Sequence, residues 1–328
     1  FTTTAANGNL ALDSSSDIDG VLSVTTNGSG TASLTNLTGS IELGVISTES
    51  LTIDARGITQ SGISSVTGTS SFSSGANVIT LNQANNFTGA VSLSNTGAND
   101  VTIDDANDLV LGTVSIAGNL NVDNAGTITQ TGVISVGGNT VLDNSDGTNA
   151  GITLTNPSNT FAGTISIITG NESDVSLVDT TAIEIGALTL NSLTLSSGGD
   201  ITDSGALDIA TTASFTTTSG NGNVALDQAI DIDGALSIST HGSGTASVTN
   251  LTDDIDLGPI TSASLTIESG GAITQSGAAI ISGAVSVTNT NGDNDAIVLD
   301  HTNNSFGGTI ALVTDIESAV TLSDTTAI

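Results

Sequence analysis

Apolar and small polar residues alternate along the chain in short bursts, such as Leu10-Ala11-Leu12, Val21-Leu22-Ser23-Val24 and Leu51-Thr52-Ile53. A period of two residues is typical of β-strands, because successive side chains point to opposite faces of a sheet. Segments rich in Gly, Asn and Asp separate the bursts, and these residues favour turns. No stretch has an extended helical period. The pattern therefore predicts an all-β protein built from many short strands.

A first marker returns along the chain with a period of about 72 residues. A large apolar residue stands two positions before Gly, and a strand-like burst follows it. The marker occurs at Ile18, Phe87, Phe161, Ile232 and Phe306, at spacings of 69, 74, 71 and 74.

A second marker, Ile-Thr-Gln-x-Gly, supports the same period. It begins at Ile58, Ile128, Ile201 and Ile273, at spacings of 70, 73 and 72, with Asp203 in place of Gln in the third copy. Residues 1–44 also match residues 215–258 at 30 of 44 positions without a gap, an offset of three repeats. The repeats therefore come in groups of three, one with an Ile-Asp-Gly marker and then two with Phe-x-Gly.

Self-similarity at a fixed period predicts one continuous repeat array over residues 1–328 rather than separate domains. The chain has no Cys, Trp, Tyr or Met, which favours a narrow core of stacked Ile, Leu, Val and Ala over a globular sandwich. We expect an elongated β-solenoid. A repeat divides into three coils of about 24 residues or four of about 18, and three is the preferred interpretation. Both ends of the sequence cut through a repeat, so we expect it to belong to a longer protein.

Stacked coils place equivalent residues above one another, which leads to an expectation for the aromatic residues. All six aromatic residues are Phe. We expect two inner series along the array, one formed by Phe87, Phe161 and Phe306 and the other by Phe1, Phe72 and Phe215.

The net charge of −32 comes from 33 acidic residues against a single basic residue, Arg56. Such a surface excludes nucleic acid and anionic lipid as partners, because their phosphates require Lys and Arg. It suits divalent cations, a salty medium or simple solubility. No apolar run is long enough for a membrane-spanning helix. Only six of the acidic residues are Glu, and the prevalence of Asp indicates turns.

One combination of segments resembles a known class of proteins: Leu120-Asn121-Val122, Ile128 to Gly132, Ile134 to Thr140, and Asn159 to Gly163. Together they are similar to the repeat regions of large secreted bacterial adhesins, the filamentous-haemagglutinin-like and autotransporter-passenger families. The resemblance extends over essentially the whole chain. It implies a right-handed parallel β-helix that serves as a stalk or fibre, located outside the cell or on its surface.

Closely spaced oxygen ligands with Gly suggest two calcium loops, at residues 143–149 and 291–295. Their candidate metal ligands are Asp143, Asp146, Asp293 and Asp295. Neither loop has the closing bidentate Glu of a calcium-binding loop, so the alternative interpretation is a set of solvated Asx turns. Calcium is thus the one cofactor that the sequence suggests, and an array without cofactors is the simpler expectation.

An enzyme that acts on acidic polysaccharides is the alternative from another class. Such a site needs basic residues to hold the substrate, and Arg56 stands alone. His241 and His301 are interpreted as polar turn residues. The sequence therefore predicts a non-enzymatic fibre or adhesin stalk, with a calcium-stabilised adhesin that binds a surface or glycan as a close variant. The expected partners are further copies of the protein, in fibres or end to end.

Overall fold

The computed structural model describes residues 1–14, 16–147, 150–170, 173–250, 253–289, 295–314 and 318–326. The chain divides into two compact units, Phe1–Gly170 and Asn171–Ile328. Within each unit, short strands pair in parallel with the strands one coil before and one coil after them. The prediction of an all-β solenoid is confirmed. Whether the two units continue as one array stays a prediction.

Nineteen strands lie in the described part of the N-terminal unit. They are β1 Leu10–Leu12, β2 Val21–Thr25, β3 Ala32–Asn36, β4 Ile41–Thr48, β5 Leu51–Ala55, β6 Ile58–Gln60, β7 Ser64–Val66, β8 Ser70–Ser73, β9 Ile79–Phe87, β10 Val91–Ser94, β11 Val101–Asp105, β12 Leu109–Ile116, β13 Leu120–Asn124, β14 Ile128–Gln130, β15 Ile134–Val136, β16 Thr140–Asn144, β17 Ile152–Leu154, β18 Thr160–Phe161 and β19 Thr164–Thr169.

Twenty strands lie in the described part of the C-terminal unit. They are β20 Asp174–Asp179, β21 Ile183–Ile185, β22 Leu188–Leu190, β23 Ser192–Ser197, β24 Ile201–Asp203, β25 Leu207–Ile209, β26 Ala213–Thr217, β27 Val224–Leu226, β28 Ile230–Ile232, β29 Ala235–Ser239, β30 Ala246–Asn250, β31 Ile255–Ser262, β32 Leu265–Ser269, β33 Ile273–Gln275, β34 Ala279–Ile281, β35 Val285–Asn289, β36 Ile297–Leu299, β37 Ser305–Phe306, β38 Ile310–Val313 and β39 Val320–Leu322.

Two parallel sheets face each other across the core of the N-terminal unit. Sheet 1 contains β2, β4, β6, β7, β9, β11, β13, β16 and β19, and sheet 2 contains β1, β3, β5, β8, β10, β12, β14, β15, β17 and β18. One coil of the chain crosses both sheets. The coils differ in length, since the coil between the register partners Ile41 and Ile58 is shorter than the one between Thr140 and Ile165.

Each coil combines a straight segment in one sheet with a longer segment that turns a corner in the other. In β4 burial alternates until the successive residues Leu43 and Gly44, which are both buried. Two successive inward residues mark the corner. The longer segment lies in sheet 1 for the coils of β4, β6–β7 and β9, and in sheet 2 for those of β12, β14–β15 and β17–β18.

The sequence repeat does not contain a whole number of coils. Register partners lead along sheet 1 from Ile58 through Ile79 and Val101 to Leu120, which is three coils. Ile128 begins the next copy of the marker only eight residues later, and it lies in sheet 2, where β14 pairs with β12. One repeat therefore spans three and a half coils. Both whole-number interpretations, three and four coils, are wrong.

The C-terminal unit has the same number of coils per repeat, although its strands β22, β25 and β28 form a separate third sheet. Register partners lead from Ile201 through Val224 and Ala246 to Leu265, again three coils. Ile273 follows eight residues later and lies in the opposite sheet, where β33 pairs with β31. In each unit, equivalent residues of successive repeats therefore lie on alternate sides of the core.

The half coil also changes the expected phenylalanine series. Phe87 lies in sheet 1, whereas Phe161 lies in sheet 2 and stacks on Val136. These two residues therefore do not belong to one inner series. Phe1 does not join the second series either, because 63% of its surface is exposed. The prediction failed because it assumed that each repeat returns to the same face.

Candidate functional site

A buried pair of amides links two successive coils where the longer segments turn. Gln60 ends β6, and Asn85 lies in β9, one coil later. The Gln60 amide donates to Asn85 Oδ1, and the Asn85 amide donates to Gln60 Oε1 at 3.2 Å. Asn85 Oδ1 also accepts the Ser64 N–H at 2.9 Å. Asn85 is fully buried. These bonds therefore replace the hydrogen bonds to water that the two amides lose when the chain folds.

The same pair recurs in the next copy of the marker. Gln130 Nε2 donates to Asn159 Oδ1 at 2.9 Å, and Asn159 Nδ2 donates to Gln130 Oε1 at 2.8 Å. In the C-terminal unit Gln275 Nε2 donates to Asn304 Oδ1 at 2.6 Å, with the return bond at 2.9 Å. We refer to these three pairs as the amide locks. The sequence shows the Gln of each lock as a marker residue, but it does not show which residue pairs with it.

In one repeat, a carboxylate that accepts backbone N–H groups replaces the amide pair. Asp203 occupies the position of the marker Gln, and Ile230 occupies the position of the lock Asn. The Asp203 carboxylate accepts the N–H groups of Asp227 at 2.9 Å and Gln228 at 3.2 Å. Both lock positions therefore change together. Burial is the largest cause that raises the pKa of Asp203, and the two N–H groups oppose it.

The marker glycine permits close contact between the coil of the lock Gln and the coil before it. A Cβ atom on Gly62 would lie 2.6 Å from the carbonyl carbon of Gly44, and one on Gly132 would lie 2.5 Å from the backbone nitrogen of Thr113. Real Cβ atoms do not approach backbone so closely. The glycine is therefore required by packing at the corner of the coil.

Asp and Asn side chains also connect successive coils on the outer side of sheet 1. Asp100 Oδ1 accepts the N–H of Asn119 at 3.0 Å, Asn119 Oδ1 accepts that of Asn139 at 2.8 Å, and Asn139 Oδ1 accepts that of Thr164 at 3.1 Å. Each bond satisfies a backbone donor at a turn. Many of the Asp and Asn residues in this chain are thus hydrogen-bond acceptors for the next coil.

Two of the predicted calcium ligands lie at the end of β16. Asp143 Oδ1 accepts the N–H of Ser145 at 3.0 Å and its hydroxyl at 2.7 Å, which is an Asx turn. Asp146 lies in the exposed turn that follows. Asp293 lies outside the described residues. Asp295 lines an acidic cleft in the C-terminal unit.

Three carboxylates stack in register on the outer face of sheet 1. Asp104, Asp123 and Asp143 are successive register partners in β11, β13 and β16. Burial raises the pKa of Asp104 and that of Asp123, and neighbouring carboxylates, including Asp146, raise both further. Like charges directly opposite each other destabilise a sheet. This acidic ladder therefore opposes the folded state.

The acidic cleft of the C-terminal unit is an open depression of about 620 Å³. Its six carboxylates belong to Asp231, Asp233, Asp253, Asp254, Asp256 and Asp295. Asp254 Oδ1 accepts the N–H of Ala272 at 2.7 Å, so part of the cluster serves a turn. Burial raises the pKa of Asp231, and the charges of Asp253, Asp233 and Asp208 raise it further.

The described residues contain no group of three or more acidic or histidine side chains placed to hold a metal ion. Calcium binding therefore stays a prediction.

The repulsion between carboxylates in the acidic ladder can be tested by substitution. The variant Asp123→Asn should raise the free energy of unfolding by about 0.5 kcal/mol at low ionic strength, because it removes the middle charge. At 1 M NaCl the part of the gain that comes from repulsion by Asp104, Asp143 and Asp146 should disappear, since the screening length falls to about 3 Å, and the part that comes from the burial of Asp123 should remain.

Chemical denaturation at both salt concentrations measures this gain, and Asp19→Asn is a control because Asp19 lies outside the ladder. Millimolar CaCl₂ should raise wild-type stability more than NaCl of equal ionic strength if calcium bridges the carboxylates. Equal effects of the two salts on stability would show that calcium acts only by screening charge and does not bridge the carboxylates. A gain for Asp123→Asn that is equally large at low salt and at 1 M NaCl would contradict the electrostatic explanation.

The basic and histidine residues lie apart in turns and loops. Arg56 is exposed, and its backbone N–H donates to the Gly39 carbonyl at 3.0 Å. The backbone N–H of His241 donates to Thr217 Oγ1 at 2.9 Å. His301 Nδ1 accepts the N–H of Asn303 at 3.2 Å. The described part of the chain contains no helix that is long and apolar enough to cross a membrane.

These features define a parallel β-solenoid repeat protein whose successive coils are joined by backbone ladders, buried amides and Asx turns. Four stretches, residues 29–94, 98–168, 172–239 and 243–313, match the family described as repeats of unknown function (DUF5649), and the chain belongs to that family. The starts of the four matches follow the same spacing as the first marker, which confirms the period found in the sequence. No curated protein and no solved structure matches the chain.

Proposed function

We propose that this chain is the structural repeat region of a secreted or cell-surface bacterial fibre or adhesin stalk. The observation that carries the proposal is the recurrence of the amide locks, because the residues that recur between repeats hold one coil to the next. Gln60, Gln130 and Gln275 each bond an Asn of the following coil. Recurrent residues with a structural role are what a stalk requires, since each repeat contacts only its neighbours.

The high negative charge of the chain is consistent with an array that is surrounded by solvent and salt. A net charge of −32 makes identical arrays repel side by side in dilute buffer, and this repulsion weakens as salt shortens the screening length. We therefore expect self-association through fibre ends, and lateral association only in high salt or with divalent cations. A surface or glycan ligand would bind on the solvent-facing strands or on a further part of the protein.

We further propose that the chain is not an enzyme. Arg56 is its only Lys or Arg, whereas enzymes that act on acidic polysaccharides hold the substrate with basic side chains. The six-carboxylate cleft would repel such a substrate. A calcium-stabilised stalk is the second candidate. The negative charge of the cleft would attract divalent cations, although the described residues contain no group of carboxylates placed to enclose one.

Two measurements on the native full-length protein test the proposal. Antibodies raised against residues 29–168 should label intact cells, and surface proteolysis should remove the label. Negative-stain electron microscopy of the purified protein should show rods of uniform width. Labelling only after the cells are permeabilised would contradict the proposed location, and compact particles would contradict the stalk. A chelator that shortens or softens the rods would favour the calcium-stabilised form.

A further inference from the structure

One carboxylic acid lies inside the core of the N-terminal unit. Asp105 is the last residue of β11 and only 1% of its surface is exposed. Its register partners are Asn85 of β9 and Asn124 of β13. It therefore occupies a position at which the adjacent coils carry a neutral amide.

The two oxygens of Asp105 have different surroundings. Oδ1 accepts the N–H of Phe87 at 3.0 Å. Oδ2 is buried and has no hydrogen-bond partner among the described residues. An ionised carboxylate has about four acceptor positions, and burial removes the water that would satisfy them. Within the described part of the chain, the site thus has no hydrogen-bond donor that would stabilise a negative charge at Oδ2.

Two equivalent aspartates elsewhere in the chain have the donors that Asp105 lacks. Asp179 and Asp324 are each followed by two threonines, and Asp105 is followed by Ala106 and Asn107. Asp179 Oδ1 accepts the N–H of Thr181 at 2.7 Å and its hydroxyl at 2.9 Å. Thr326 similarly donates to both oxygens of Asp324.

The charges around Asp105 also favour its neutral form. Asp104 and Asp108 are the charged groups that act on it from its own strand and the following turn. Asn85 and Phe87 of β9 and Asn124 of β13 are uncharged, and β10 and β12 of the opposite sheet contain no titratable residue. Burial is the main cause that raises the pKa of Asp105 to about 7, and the N–H groups of Phe87 and Ala106 oppose it.

We propose that Asp105 is a pH-responsive point built into the N-terminal unit. Below neutral pH it is a carboxylic acid that fits the core, and the loss of its proton leaves an unpaired charge that loosens β9, β11 and β13. The proposal is independent of whether the chain serves as a stalk, because it depends only on the folded coils.

The direction of the pH dependence follows from linkage. The pKa in the folded state, about 7, lies above the ordinary value of 3.8, so the folded state binds the proton more tightly than the unfolded state does. The stabilising contribution is complete below about pH 4, decreases as the pH rises and is lost above about pH 7.

The variant Asp105→Asn keeps the shape of the side chain and removes the titration. Hydrogen exchange of the backbone amides in β9, β11 and β13 of the full chain measures local opening. We expect the variant and the wild type to open equally at pH 4, and the variant to open at least about tenfold less often at pH 8. Asp179→Asn is the matched control, measured at its own strands β20 and β23, and should give no protection at pH 8, because Asp179 is also buried and Thr181 already donates two hydrogen bonds to it.

A second variant tests the cause. Asn107→Thr introduces the threonine found after Asp179 and Asp324, and it should reduce the difference in opening between pH 4 and pH 8. The carbon-13 chemical shift of the Asp105 carboxyl should titrate with a midpoint between about 6 and 8 in the wild type. A midpoint near 4, or the same pH dependence of exchange in Asp105→Asn and wild type, would overturn the proposal.

Discussion

Asn85→Ile should lower the free energy of unfolding of the surrounding coils by about 2 to 5 kcal/mol. The substitution removes the partner of the Gln60 amide and the acceptor of the Ser64 N–H, and it leaves both groups buried. Each buried group that loses its partner costs about 1 to 3 kcal/mol. Chemical denaturation measures the total loss, and hydrogen exchange shows whether the coils of β6 to β9 open first.

Another repeat of the chain shows which second substitution should compensate for the loss of the lock Asn. Where Ile230 replaces the lock Asn, Asp203 replaces Gln and accepts two backbone N–H groups. The segment from Leu81 to Phe87 has the same length as that from Leu226 to Ile232. The double variant Gln60→Asp with Asn85→Ile should therefore recover at least about half of the loss, a coupling of roughly 1 to 3 kcal/mol.

The control for this cycle is Gln60→Asp alone, which places a carboxylate beside an intact Asn85 and should be destabilising. If the effects of the two single substitutions simply add in the double variant, the lock is not a coupled unit. That result would remove the structural reason for the paired change at Asp203 and Ile230.

Phe87→Ala should lower the free energy of unfolding by about 3 to 5 kcal/mol. Phe87 is fully buried, and its ring packs edge to face against Phe72 with centroids 5.9 Å apart. Truncation leaves a cavity between the two sheets that a rigid, in-register ladder cannot close. Denaturant titration of the full chain measures the loss.

Two further substitutions make this prediction specific. Phe87→Ile should cost less than Phe87→Ala, since Ile232 occupies the equivalent position in another repeat. Phe1→Ala should change stability by less than about 0.5 kcal/mol, because Phe1 is exposed. A large effect at Phe1 would instead support the inner series that the structure contradicts.

The strands and the repeat were predictable because they depend on local patterns. Alternating residues such as Leu51-Thr52-Ile53 are buried and exposed in turn, and the two markers gave the period that the family matches confirm. The number of coils was not predictable from the period, because a repeat of about 72 residues is compatible with three coils of about 24 or four of about 18. Only the register from Ile58 to Leu120 shows that three coils end before the next copy of the marker begins.

The amide locks were only half visible in the sequence. Gln60 stands out in a recurrent motif, but its partner Asn85 lies one coil away in β9, and the separation between the two residues of a lock varies from 25 to 29 residues between repeats. The paired replacement at Asp203 and Ile230 is the signal that could have joined the two positions. Asp105 could not have been found by pattern, because one acidic residue among 33 shows its burial only after the chain is folded.

The distance between two spin labels tests most directly whether one repeat spans three and a half coils. The chain has no Cys, so Thr59→Cys with Thr129→Cys labels equivalent positions of successive repeats. Thr59→Cys with Asn121→Cys is the control, because Thr59 and Asn121 lie three coils apart in one sheet. We expect roughly 14 Å for the control and about 25 Å or more for the test pair, whose labels project from opposite sheets. Equal distances for the two pairs would show that the repeat returns to the same face, and would contradict the half-coil arrangement.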